Sequence, residues 1–368
     1  MKKAILATLI SLIMISCQVG TSDTSYSEVN LSVIDLVREP VITSGNPGTE
    51  DNRFGFEGGT CHKVADTYYL FTTEVFDKPK TAAVRLALWT SPDGHSFQKK
   101  SVIATTNYNW QDTTHRMSPW SPMAIYDPDR EVWSVFHVGY RRKANSTNVF
   151  NMSGRIFRYD SEVKGKNGIG GPYREGDWVT LLGEPDWWEG PGKIVSFYPY
   201  KIGDQWWAFY GGNSVAEHID ASGEGQAARH VFYAGLAKSK GGITDEWERQ
   251  YDLNPVQMDS EFIENSVVTK INDNLYINLY DGANDHAISY SWSSDGIHWK
   301  PEQLIKFPDP PDWIKSTRTP LGLINEGNDI YSIYFTAFDG NNPEQIPPTW
   351  HDGFGHVGLL KVKLKTKN

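Results

Sequence analysis

Three glutamates in this chain stand among residues that do not normally surround a solvent-facing carboxylate: Glu57 in FGFEGG, Glu189 in WWEGPG and Glu264 in FIENSVV. Glycines, aromatics and aliphatics flank them, so none belongs to a charged run. Desolvation raises the pKa of a carboxyl in such a setting and a nearby cation lowers it, and either shift serves acid/base work. Arg318, in STRTPLG, is one candidate cation. It has two readings, as binder of a ligand hydroxyl, carboxylate or sulfate and as half of an ion pair between structural units. His115 and Arg116, in HRMSPW, share those readings, and Trp120 and Trp188 offer flat apolar faces for stacking.

Something must bring these residues together, and an internal repeat supplies it. Five aromatic strand patterns, each announced by a polar turn, are VADTYYLFTT, DPDREVWSVFHVG, KIGDQWWAFYGG, INDNLYINLYDG and NEGNDIYSIYFTAFDG. With Tyr69, Trp133, Trp207, Tyr276 and Tyr331 as anchors, the spacings are 64, 74, 69 and 55 residues. A further alternating segment follows each anchor strand, and convincing amphipathic helices are missing. Repeated sheets with no helices to cover them pack radially, which predicts an all-β chain folded as a five-bladed β-propeller over residues 47–368.

In such a blade the innermost strand precedes the anchor strand through a hairpin. Counting back twelve residues from the anchors gives Glu57, Ser121, Val195, Glu264 and Thr319 as starts of the channel-lining strands. Two of these are glutamates. Glu189 falls six residues ahead of its counted strand, on a loop expected to reach over the channel mouth. The turns SPDGHSF and SSDGIHW each hold an aspartate, Asp93 and Asp295, expected to accept backbone N–H bonds while the following glycine supplies a positive φ.

The N-terminus, MKKAILATLISLIMISC, has two lysines, an apolar run too short to span a bilayer, then Ser16 and Cys17. This is the layout of an export signal over residues 1–16, and Cys17 resembles the acylated cysteine of a bacterial lipobox. Residues 17–46 read as a flexible tether, with VNLSVIDLV as their one hydrophobic pattern. The expected location is the bacterial cell envelope, lipid-anchored at the outer membrane or in the periplasm, or secreted if cleavage falls elsewhere. Cys61 is the other cysteine and is expected as a small buried hydrophobe. The net charge of −10, without basic runs, argues against nucleic acid and against membrane contact beyond the lipid. A monomer is expected, with no cofactor and no metal motif, although a channel calcium held by waters and one or two side chains leaves little trace in sequence.

The pattern resembles the five-bladed propeller glycoside hydrolases, the group around the family 43 arabinofuranosidases and xylosidases, over about residues 50–364. That family places an aspartate about ten residues before a Tyr-Tyr strand, where this chain has Glu57. It carries W-A-P-D in the second blade, where this chain has WSPM with Met123 in the acid position. Its E-G-P segment occurs here at residues 189–191. The resemblance implies hydrolysis of plant or algal oligosaccharides, of β-xyloside or α-L-arabinofuranoside type. Glycosidic cleavage needs one protonated and one ionised carboxyl. Glu57 is assigned base or nucleophile and Glu189 acid, with Glu264 an alternative acid or an acceptor of a substrate hydroxyl. Met123 motivates a second reading, a surface glycan-binding lipoprotein without catalysis. A phosphorylase or transferase, with Arg318, Arg116 and His115 as phosphate ligands, is a third.

Overall fold

The computed structural model describes residues 26–77, 83–107, 109, 118–140, 154–189, 194–213, 232–260, 262–340 and 353–367. Among these the regular structure is strand, with 3-10 turns at Lys166–Gly170 and Trp187–Glu189 and no α-helix. Each of the five anchor strands forms, and each is the second strand of an antiparallel meander.

One sheet joins β6 (Ser118–Asp127), β7 (Val132–Tyr140), β8 (Gly154–Ser161) and β9 (Tyr173–Glu175) in chain order. In the next, β11 (Ile194–Ile202), β12 (Gln205–Asn213), β13 (Phe232–Ser239) and β14 (Trp247–Arg249) are edged by the short parallel β10 (Leu181–Leu182). A third is β15 (Glu264–Asn272), β16 (Leu275–Asp281), β17 (Ala287–Ser293) and β18 (Gln303–Lys306). The largest has eight strands. In it β19 (Ser316–Gly327), β20 (Ile330–Phe338) and β21 (Gly355–Lys367) meet β2 (Gly55–Val64), β3 (Thr67–Asp77), β4 (Ala83–Ser91) and β5 (Gln98–Thr105), and β1 (Glu28–Leu36) pairs with β21. Backbone pairing between the two halves of this sheet is at a single position, Gly55 opposite Gly355.

The first strands of the meanders pack on one another in a closed circuit: β2 against β6, β6 against β11, β11 against β15, β15 against β19 and β19 against β2. Aromatic side chains fill the spaces between sheets. Phe136 of β7 lies 5.5 Å from Phe197 of β11, and Tyr200 of β11 lies 6.5 Å from Tyr276 of β16. Burying such rings dominates the energetics of a helix-free core, because each removes a large apolar area from water. Cys61 is a buried free thiol in this core.

Residues 28–36 correct the expectation of a tether. They form β1, antiparallel to β21 from Glu28 opposite Lys367 to Leu36 opposite Leu360, and backbone bonds from Val37 and Val41 continue the contact. The physical reason is in VNLSVIDLV: Val29, Leu31 and Leu36 are buried, and β21 presents an edge that would otherwise be unpaired. Residues 1–25, with Cys17, lie outside the described residues.

The two aspartate turns form as expected. Asp93 accepts the N–H groups of His95 and Ser96 at 2.8 and 2.7 Å, and Asp295 those of Ile297 and His298, both at 2.8 Å. Gly94 and Gly296 sit at φ +74° and +78°. Both acids are turn formers.

Candidate active site

Glu57 is the third residue of β2, Trp120 the third of β6, Arg318 the third of β19, and Glu264 opens β15. These strands share a local deformation. Pairing registers shift between Glu57 and Gly59, Trp120 and Met123, Glu264 and Val267, and Thr317 and Pro320. A bulge of this kind re-aims the side chain before it. In three of the strands the next residue lies in the left-handed region: Gly58 at φ +62°, Ser121 at +50° and Asn265 at +52°. Ser121 Oγ donates to Asn265 Oδ1 at 3.1 Å, and the Ser121 N–H donates to Thr73 Oγ1 at 2.9 Å. Gly58 must lack a side chain here, because a Cβ would fall 2.5 Å from Ser121 Oγ.

The bulges bring the charged residues to one place. Arg318 Nε donates to Glu57 Oε1 at 3.0 Å, and Nη2 donates to Glu264 Oε2 at 2.6 Å. Nη1 faces Asp281, the residue opposite Glu264 in the β15–β16 register. All three carboxylates are buried. Burial opposes the charge on Arg318, yet Glu264 and Glu57 hold its guanidinium above the ordinary arginine value. The Phe262 ring lies 5.8 Å from the guanidinium carbon. Tyr140, at the end of β7, belongs to the same neighbourhood: burial pushes its phenol well above the usual value, and the negative charges of Glu264 and Glu57 add to that. The phenol is thus a proton donor at any ordinary pH. Two carboxylates separated by one guanidinium are at most about 8 Å apart, since two hydrogen bonds and one planar fork span the gap. That bound is compatible with the separations at which a carboxyl pair acts on one glycosidic bond.

Two other expected residues are placed differently. Glu189 sits in the 3-10 turn and is buried, with both carboxylate oxygens on Arg249 of β14 at 2.9 to 3.0 Å; Tyr210 donates to it at 3.0 Å. Arg249 Nη1 in turn donates to the carbonyls of Leu181, Leu182 and Gly183. The loop glutamate expected over the channel mouth is therefore the clamp that fixes residues 181–189 to β14 of the sheet edged by β10. Trp188 is fully buried, covering the glycine positions Gly212 and Gly235, whose missing side chains make room for its indole. It packs the core and offers no stacking face; the exposed neighbour is Trp187. Trp120 occupies the inner-strand position but is 8% exposed and packs mainly into the core. His115 and Arg116 lie outside the described residues.

Counting back twelve points to Ser121 and Thr319, one residue beyond Trp120 and Arg318. A one-residue slip in a strand exchanges the two faces, and the bulges are what displace the count. Asp281 and Tyr140 are not reached by it. Asp281 closes the pattern INLYDG, but it belongs to the second strand of its meander, and nothing in a count along first strands points to it.

No family model and no curated protein sequence matches the chain. Solved structures do. One, BT0996 in an RGII complex, superposes with a TM-score of 0.64 at 11% identity, covering 92% of this chain and 94% of that one. Zg3597, a family 117 glycoside hydrolase from the marine bacterium Zobellia galactanivorans, gives 0.60 at 11% identity over 90% of each chain. CoXyl43, a GH43 β-xylosidase/α-arabinofuranosidase from a compost microbial metagenome in complex with xylotriose, gives 0.56 at 11% identity, covering 92% of this chain and 95% of that one. The chain has the all-β propeller fold of these proteins.

Proposed function

We propose that the chain is a glycosidase built on five blades, the eight-stranded sheet being two blades joined at Gly55 and Gly355. The observation that carries the reading is the convergence of Glu57 and Glu264 on Arg318. One carboxylate serves as nucleophile or as base toward water, and the other, once protonated, delivers a proton to the leaving oxygen. Arg318 holds them in place and carries the positive charge that makes two buried acids compatible. Glu57 keeps the base or nucleophile role expected from its position, and the acid role passes from Glu189 to Glu264.

The substrate class is a plant or algal oligosaccharide of β-xyloside or α-L-arabinofuranoside type, which the xylotriose-bound CoXyl43 supports by its fold. Residues 1–16 are an export signal and Cys17 carries the lipid. Incorporation of labelled palmitate, lost in Cys17→Ser, is the check on that part.

A panel of aryl glycosides of arabinofuranose, xylose, galactose and rhamnose tests the activity. The wild-type protein is expected to turn over at least one, and Glu57→Gln and Glu264→Gln to lower kcat about 10³-fold while each variant stays folded and unfolds cooperatively. Two observations favour the non-catalytic alternative: both acids already bond a cation, and Met123, in the position of the family's third acid, is buried among apolar side chains. Sugar binding by both Gln variants together with no turnover by the wild type would decide for a glycan-binding lipoprotein.

A further inference from the structure

The segment between β9 and β10 crosses from one sheet to the next. Val179 N–H donates to the Ile156 carbonyl of β8 at 2.9 Å, and Thr180 carbonyl accepts from Trp247 N–H of β14 at 2.9 Å. Two successive residues are thus fastened to two different sheets. Trp178, immediately before them, is 53% exposed, and the Arg155 guanidinium carbon lies 4.8 Å from its ring centroid. The indole borders a groove of about 760 Å³ whose other lining includes Asp177, Thr180, Lys240, Thr244 and Glu246. This groove is at the β10–β14 edge of its sheet, the edge opposite β11. It is therefore a separate surface from the Glu57 and Arg318 cluster.

A tryptophan fixed on a doubly fastened strap, with a guanidinium against its ring, is already oriented, so little side-chain freedom is lost when a ligand stacks on it. The lining around it includes the threonine hydroxyls of Thr180 and Thr244, which donate to or accept from a sugar hydroxyl, and carboxylates, which accept from one. Its charge selects further. Asp177, Asp245 and Glu246 line it together with Lys240, whose Nζ already lies 3.4 Å from Glu246 and 3.6 Å from Glu248, and Arg155 against the Trp178 ring is the second cation, so three carboxylates outnumber two cations. An anionic chain meets like charge here, whereas a neutral one does not.

We propose that this groove is a second glycan-binding site, taking a neutral oligosaccharide stretch with Trp178 as the stacking platform. The inference goes beyond the assignment of the Glu57 and Glu264 pair. Its readout is retention on a polymer, not turnover.

Affinity electrophoresis through native gels containing arabinoxylan, arabinan or galactan tests it, with the full chain carrying Glu57→Gln so that no polymer is cut. Retardation is expected in at least one gel, weakened about tenfold by adding Trp178→Ala and largely restored by Trp178→Phe. Trp178→Ala in the otherwise unaltered chain is expected to keep its melting temperature and its aryl-glycoside turnover. Equal retardation with and without the indole overturns the proposal, as does the absence of retardation in every gel. A dimer on size exclusion that Trp178→Ala converts to monomer overturns it in favour of a second copy as occupant. Loss of aryl-glycoside turnover in the Glu57→Gln protein is read separately, so the two assignments fail independently.

Discussion

Arg318 Nε lies 3.0 Å from Glu57 Oε1, although 261 positions separate the two residues. The bond joins β19 to β2, the first strands of the two halves of the eight-stranded sheet, whose one paired position is Gly55 of β2 opposite Gly355 of β21. One guanidinium therefore organises the carboxylates and links β19 to β2 by a side-chain bond where no backbone ladder joins those two strands.

Removing that cation leaves Glu57, Glu264 and Asp281 buried together. Arg318→Met is expected to lower stability by about 3–5 kcal/mol, the usual cost of an uncompensated buried charge. Adding Glu57→Gln and Glu264→Gln should recover part of the loss. Urea unfolding of the single and triple variants checks this; a triple variant less stable than Arg318→Met alone contradicts it.

Glu189 and Arg249 are expected to behave as a structural pair. Arg249→Met should cost about 3–5 kcal/mol and Glu189→Gln less, since the amide still accepts hydrogen bonds. Glu189→Gln should keep aryl-glycoside turnover within a few-fold of wild type. A kcat reduced about 10³-fold at unchanged melting temperature would instead restore Glu189 as the acid.

Gly58→Ala is expected to destabilise by about 1–3 kcal/mol through its positive φ and its collision with Ser121 Oγ. Ser121→Gly removes the hydroxyl and relieves a second left-handed residue, so the double variant should be more stable than the sum of the two single effects. Additive effects in a double-mutant cycle would contradict the contact.

Acid stability has an identifiable contributor in His62, whose ring packs against Trp133 at 5.1 Å. Burial pushes its pKa down to about 4, with a bond to the Ala124 backbone opposing. The unfolded chain binds a proton near pH 6.5 that the folded chain refuses until about pH 4. This stabilising contribution is complete above pH 6.5 and is lost as pH falls to 4, up to about 3 kcal/mol in all. His62→Phe should flatten the stability profile over that window; an unchanged slope rules this source out.

Much of the architecture is readable because aromatic strands and their turns are local signals. The anchors Tyr69, Trp133, Trp207, Tyr276 and Tyr331 all fall in second strands, and Glu57 and Glu264 meet because equivalent positions of a repeat share a radius. Other features depend on contacts that no local pattern encodes. VNLSVIDLV is legible as hydrophobic, but its partner is more than 300 residues away in β21. Glu189 sits beside tryptophans and a Gly-Pro pair, a context that looks alike for a reactive acid and for one buried against an arginine. The partner Arg249, on a three-residue strand, decides between them. In β19 the pairing register shifts at Thr317/Pro320, Pro320/Gly322 and Asn325/Gly327, irregularities that no residue pattern announces, and the count from Tyr331 lands on Thr319 instead of Arg318.

The pairing of β1 with β21 has a bearing on how the molecule is made. Residues 28–36 are synthesised before every other described strand and must wait for residues 355–367 before their hydrogen bonds can close. Until then the early strand is an open edge, available to the wrong neighbour. Synthesis order and assembly order thus run against each other, and a chain stopped short of Gly355 would lose its first strand's partner as well as its last strand.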